Sequence, residues 1–109
     1  MEPETRRVVQ ALLRGRERRY SYRKPAQESG EILGSVAVVF RSGVFWVSIQ
    51  ELDCSKPFHL DMGYSTDELH RLPTAEEVEE LLRRRFNIGL PALGPAKGMK
   101  TFHGGDSPE

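Results

Sequence analysis

The sequence contains a single cysteine, Cys54, among its 109 residues. One cysteine cannot form a disulfide within the chain, so the simplest compartment is a reducing one. No run of apolar residues approaches the roughly 18 that a membrane helix requires. The first residues, Met1 to Glu4, also lack the basic and apolar regions of a secretory signal. These absences predict a cytoplasmic protein that has no membrane partner.

Residues that bind metals or act as nucleophiles are equally scarce. Besides Cys54, the candidate ligands are His59, His70 and His103, and their spacing matches no compact zinc motif. A reactive thiol needs positive charge nearby, whereas the neighbours of Cys54 are acidic. We therefore expect no metal, no cofactor and no catalytic residue. A small hydrolase or transferase built around His59, Asp61 and Cys54 remains the weakest of three functional hypotheses.

An excess of charge of one sign is also missing, because 16 basic and 16 acidic residues give a net charge of zero. Nucleic-acid-binding domains are usually net basic, so this balance counts against them. The basic residues are nevertheless concentrated near the N-terminus, where eight of them precede Pro25 against three acidic residues. The N-terminal part of the chain is therefore locally basic and is the candidate site for an acidic ligand.

The basic segment, residues 14–24, combines arginines with Tyr20 and Tyr22. Guanidinium groups bind phosphates and tyrosine rings stack on bases, so nucleic acid is a coherent ligand. An acidic protein groove would suit the same side chains. A structural alternative is that these arginines pair with the acidic remainder of the domain, including Glu76, Glu77, Glu79 and Glu80. The backbone of this segment is expected to form an edge strand or an ordered loop.

The strongest local pattern is a β-hairpin over about 32–40 and 44–52. Its first strand is apolar and β-branched on both faces, and a short turn containing Gly43 follows. The second strand places Trp46 on the face opposite Phe45. Burial of Trp46 under the N-terminal helix is the favoured interpretation, and an exposed aromatic that binds a partner is the alternative.

Helical periodicity predicts an N-terminal helix over about 4–14 and a C-terminal helix over about 75–87. Gly15 and Gly89 are expected to end these two helices. A capping box at residues 65–68 predicts a further short helix over about 66–71. Alternating apolar residues from Pro57 to Met62 favour a third strand.

The sequence thus predicts an α+β fold with an antiparallel sheet of three to four strands centred on the hairpin. The C-terminal helix should cover one face, with the N-terminal helix beside it or on the other face. Residues 1–89 are expected to form a single domain and residues 90–109 a flexible or extended arm, because glycine and proline are frequent there. Pairing of strand edges into a homodimer is left open.

The leading functional hypothesis is a small non-enzymatic binding protein, such as a regulator, inhibitor or accessory subunit, that docks onto a larger protein. The second hypothesis is a nucleic-acid-binding module that uses the basic segment. The nucleic-acid hypothesis uses only residues 14–24. The residues predicted to bind a partner are Arg14, Arg16, Arg18, Arg19, Tyr20, Tyr22, Arg23 and Trp46.

Overall fold

The computed structural model describes residues 2–25, 30–53 and 66–95. Within these ranges, a five-stranded antiparallel sheet carries two α-helices. The elements in chain order are α1 (Pro3–Leu13), β1 (Arg18–Pro25), β2 (Glu31–Arg41), β3 (Val44–Asp53), β4 (Thr66–Leu72), α2 (Ala75–Phe86), a 3-10 helix (Leu90–Ala92) and β5 (Gly94–Pro95). The α+β class, the hairpin and the two longer helices are confirmed, whereas the sheet has more strands than the three to four predicted.

The hairpin of β2 and β3 lies at the centre of the sheet, whose strand order is β4-β3-β2-β1-β5. Its two-residue turn places Ser42 and Gly43 at φ values of 56° and 79°. Two consecutive left-handed residues are typical of the type I′ turn, whose twist matches that of the paired strands. This turn fixes the register, with Arg41 opposite Val44 and Val38 opposite Val47.

Both helices pack on the same face of the sheet, which we call the helix face. The core on this face is formed by fully buried side chains from both helices and from β2 and β3. They include Leu12, Val36, Val38, Val47, Ile49, Val78 and Leu82. Leu90 and Leu93 also belong to this core, with exposed fractions of 1% and 2%. The arrangement in which the N-terminal helix lies beside the C-terminal helix is therefore the one that forms.

The predicted short helix over 66–71 is wrong, because this segment is strand β4. Side chains from Thr66 to Leu72 alternate between half-buried and exposed positions, as expected of a strand with one face against the protein. Pairing with β3 supplies the backbone hydrogen bonds that a single isolated helical turn would lack. A capping box is a local signal, and tertiary pairing outweighs it here.

The helix ends follow the expected chemistry with one exception. Gly15 has a φ of 86° and the Arg16 amide donates to the Ala11 carbonyl at 3.1 Å, which closes α1 as predicted. The Thr74 hydroxyl accepts the Glu77 amide at 3.2 Å at the start of α2. The left-handed residue that ends α2 is Asn87, at a φ of 56°, and not Gly89.

Several predictions concern residues beyond the described ranges. The third strand predicted over 57–62, together with Cys54, His59 and Asp61, lies outside the described residues, as does His103. Neither of the two α-helices in the described part of the chain has the length and apolar character needed to cross a membrane.

Candidate functional site

Strand formation splits the basic segment between two faces of the sheet. Along β1, the side chains of Tyr20 and Tyr22 lie on the helix face, where both pack against the main core. Arg19 and Arg23 alternate with them and therefore lie on the opposite face, which we call the far face. The predicted site residues consequently do not form one surface.

The alternative of internal pairing with the acidic remainder of the domain is seen in part among the described residues, with glutamates outside α2. Arg23 pairs with Glu31 at 3.5 Å, and Lys24 pairs with Glu51 at 3.0 Å. In residues 2–25, 30–53 and 66–95, Arg14, Arg16, Arg18 and Arg19 make no salt bridge. Within these ranges, internal ion pairing therefore involves only part of the basic segment.

The two tyrosines form an aromatic cluster with α2. Their rings stack with centroids 6.0 Å apart, and the Tyr22 ring lies 5.2 Å from that of Phe86. The ring of Tyr22 also lies over Gly34, where no side chain obstructs it. Because the rings pack against the protein itself, they are poorly placed as platforms for nucleic-acid bases.

A polar network continues from this cluster. The Tyr22 hydroxyl donates to Oε2 of Glu51, and Lys24 pairs with the same oxygen. The other carboxylate oxygen, Oε1, accepts from the Thr66 hydroxyl at 3.3 Å. Burial and the contact with Glu51 raise the pKa of Tyr22 above its ordinary value. Burial alone would raise the pKa of Glu51, but the hydrogen bonds from Tyr22 and Lys24 outweigh it and lower that pKa.

A second ionic cluster links α2 to the edge strand β4. Arg85 donates two hydrogen bonds to the carboxylate of Glu68, at 2.8 and 3.0 Å, in the paired geometry that favours guanidinium groups. His70 Nε2 lies 2.8 Å from the same carboxylate. Hydrogen bonds from Arg85, followed by that with His70, lower the pKa of Glu68 to about 2.

The depressed pKa of Glu68 predicts a loss of stability in acid. A carboxylate whose pKa is lower in the folded state stabilises the fold above its unfolded value, here 4.5, and this contribution disappears as the pH falls towards 2. We expect Glu68→Gln to remove part of the difference in unfolding free energy between pH 6 and pH 3, measured by urea denaturation. Glu80→Gln, on the exposed side of α2, should retain the wild-type difference.

The two networks surround a cleft of about 460 Å³ whose lining includes Tyr20, Tyr22, Lys24, Glu51 and Arg85. Within it, Glu51 contacts Lys24 and Tyr22, while Arg85 pairs with Glu68 outside the lining; the pKa of Tyr22 is raised and that of Glu51 is lowered. A carboxylate with a lowered pKa is a weaker general base, and a phenol with a raised pKa is a weaker general acid. The cleft therefore favours a structural role, in which side chains attach α2 and β1 to the end of the sheet.

The far face of the sheet carries no α-helix among the described residues. At one end, Ala37, Val39 and Trp46 form a small second core with exposed fractions of 7% or less. The Trp46 indole donates to the Arg41 carbonyl at 3.2 Å, and the guanidinium of Arg71 lies 5.7 Å from its ring centroid. Trp46 is thus buried, as favoured, but the predicted cover is wrong because α1 packs on the helix face.

The other end of the far face is open. Leu33 and Leu52 face each other across β2 and β3, and each side chain is 39% exposed. They form the floor of a cleft of about 470 Å³, the leucine cleft, whose walls include Arg19, Arg23 and Gln50. An apolar floor with a basic rim is typical of a surface that binds another protein.

Another cleft, of about 570 Å³, lies near the start of α2 and is lined by Glu2, Glu76 and Glu79 among others. Glu79 is engaged within the fold, since it accepts the Leu90 amide at 3.2 Å and pairs with Arg83. In size this cleft exceeds the leucine cleft, but its identified polar contacts hold the 3-10 helix against α2. We therefore give it a structural role.

Comparison with protein-family models, with curated proteins and with solved structures finds no match to this chain. Its function must accordingly be inferred from its own surfaces.

Sequence reasoning missed both the leucine cleft and the Glu51 network. Leu33 and Leu52 were included in apolar strands, with no signal that their shared face would lack a helix. The Tyr22 to Glu51 contact joins residues that are 29 positions apart, and only the pairing of three strands brings them together. The alternation of Tyr20 and Tyr22 with arginines was the one available hint.

Proposed function

We propose that this chain is a small non-enzymatic binding protein that docks onto a larger protein through the leucine cleft. The observation that carries the proposal is the directly paired Leu33 and Leu52, both 39% exposed on the sheet face opposite the helices. A partner that covers these two side chains would remove their apolar surface from water, which favours binding.

The rim of the cleft indicates the chemistry of the partner. Arg19 makes no salt bridge among the described residues, and Arg23 pairs only at the surface with Glu31. Arginines at the edge of an interface steer and orient partners of opposite charge. The partner that fits best is a protein with an apolar ridge flanked by carboxylates, which would fill the cleft and pair with Arg19.

This proposal is tested by substitution of the cleft floor. Immobilised wild-type chain should retain from a lysate of its native host one protein in stoichiometric amount, and Leu33→Asp should lose it. With that protein purified, we expect Leu33→Asp to weaken binding by more than about tenfold, measured calorimetrically, because a charge would be placed against an apolar ridge.

Leu13 offers a matched control, since this leucine is 52% exposed at the end of α1, away from the cleft. Leu13→Asp should bind the same protein as tightly as wild type does. Equal losses in Leu33→Asp and Leu13→Asp, with both chains folded by circular dichroism, would point to nonspecific adhesion and overturn the proposal.

The alternative function is nucleic-acid binding through residues 14–24. The arginines of this segment favour it, whereas the tyrosines give it little support. Tyr20 and Tyr22 pack with Phe86, as described above.

The third hypothesis, an enzyme centred on His59, Asp61 and Cys54, concerns residues outside the described ranges and stays a prediction. Pairing of chains through sheet edges into a homodimer likewise stays a prediction.

A further inference from the structure

A group of arginines converges at the end of α1, on a surface distinct from the leucine cleft. Arg7 lies on α1, and Arg14 is the residue directly after the helix. The two are seven positions apart, about two helical turns, so their side chains lie on the same side. Arg16 follows the turn at Gly15, and Arg18 begins β1. These four side chains line one shallow cleft of about 200 Å³, which we call the arginine cleft.

Among the described residues, the carboxylate of Glu4 lines a neighbouring cleft with Arg7 and Arg18 but does not line the arginine cleft itself. None of the four arginines of the arginine cleft forms a salt bridge within these residues, and its lining contains no carboxylate. Glu17 lies between Arg16 and Arg18 in sequence, but it is 5% exposed and does not line the cleft. Four like charges are thus held around a small volume.

The backbone determines where two of these side chains begin. The amides of Arg14 and Arg16 donate to the Gln10 and Ala11 carbonyls, both at 3.1 Å, and these hydrogen bonds close the turn after α1. Positive side chains at the end of a helix are partly stabilised by its dipole. Their mutual repulsion nevertheless remains, and an anion bound among them would relieve it.

We propose that the arginine cleft is a binding site for phosphate groups. The paired N–H donors of a guanidinium group match two oxygens of a phosphate. Several guanidinium groups around a small cleft therefore suit a ligand with adjacent phosphates. The phosphates belong either to a free oligophosphate or to the backbone of a single-stranded nucleic acid, and the chemistry of recognition is the same. This site requires no contribution from Tyr20 or Tyr22.

The test uses the whole chain with two probes, inorganic triphosphate and a single-stranded oligothymidine, at low ionic strength. Binding of triphosphate is measured by calorimetry and binding of the oligonucleotide by fluorescence anisotropy. We expect the double variant Arg14→Gln, Arg16→Gln to weaken binding by about tenfold or more, because two charge-assisted contacts are lost. Both residues are exposed, so the fold should be unaffected.

The double variant Arg83→Gln, Arg84→Gln is the matched control, because it also removes two charges from exposed arginines, and these lie on α2 and do not line the cleft. Its affinity should remain within about twofold of wild type, since separated surface charges are screened by salt.

Arginine-dependent binding of triphosphate would identify an oligophosphate as a sufficient ligand. Arginine-dependent binding of the oligonucleotide alone would identify the nucleic-acid backbone, with the salt slope reduced by roughly 0.7 for each lost contact.

Two results would overturn the proposal. One is the absence of binding of both probes at low ionic strength. The other is binding that the two double variants weaken equally, because equal losses from equal changes in charge would reflect net charge and not the arginine cleft.

Discussion

Replacing Leu12 by alanine should lower the free energy of unfolding by about 2 to 5 kcal/mol, measured by urea denaturation. Leu12 is fully buried and belongs to the core between α1 and the sheet. Its truncation removes apolar contacts and leaves a cavity that the surrounding strands cannot fill, because the central hairpin fixes their positions. Domains of this size are stabilised by only about 5 to 15 kcal/mol, so this loss is large.

The neighbouring Leu13 makes this experiment specific. Its side chain is 52% exposed although it lies on the same helix, one residue further along. Leu13→Ala should change stability by no more than about 0.5 kcal/mol. If the Leu12→Ala chain does not fold, the milder Leu12→Met should still fold and lose less than about 1.5 kcal/mol. Similar effects of Leu12→Ala and Leu13→Ala would contradict the packing described for α1.

Replacing Gly34 by alanine should destabilise the protein by about 1 to 3 kcal/mol. A methyl group at this position would lie within 2.6 Å of three ring carbons of Tyr22, so the ring would have to move. Its displacement would also remove the hydrogen bond to Glu51 and disturb the contact with Phe86. The backbone of Gly34 does not have a positive φ, so this effect arises from space and not from backbone strain.

A double-mutant cycle isolates the contribution of the Tyr22 ring. In a Tyr22→Ala background the ring is absent, and Gly34→Ala should then be neutral or stabilising, because glycine weakens the interior of a strand by about 0.5 to 1 kcal/mol relative to alanine. Denaturation of the four chains gives the coupling energy directly. An equal cost of Gly34→Ala in both backgrounds would show that Tyr22 does not determine the need for glycine.

The local elements follow from patterns that depend on near neighbours in the sequence. Val8 and Leu12 in one stripe, Val78 and Leu82 in another, and a short turn containing Gly43 were sufficient to predict both helices and the hairpin. These features are predictable because each is specified by residues that lie within one or two turns of one another. The capping box at residues 65–68 fails for the same reason, since it contains no information about pairing with β3.

The sequence by itself determined the α+β class, the central hairpin, the two helices and the concentration of arginines near the N-terminus. Only the tertiary structure decided that both helices share one face, which leaves Leu33 and Leu52 on the other. It also decided that strand alternation separates Tyr22 from Arg23, and that Arg7 joins Arg14, Arg16 and Arg18 in one cleft. These outcomes depend on the register and packing of elements distant in sequence, which local periodicity does not encode.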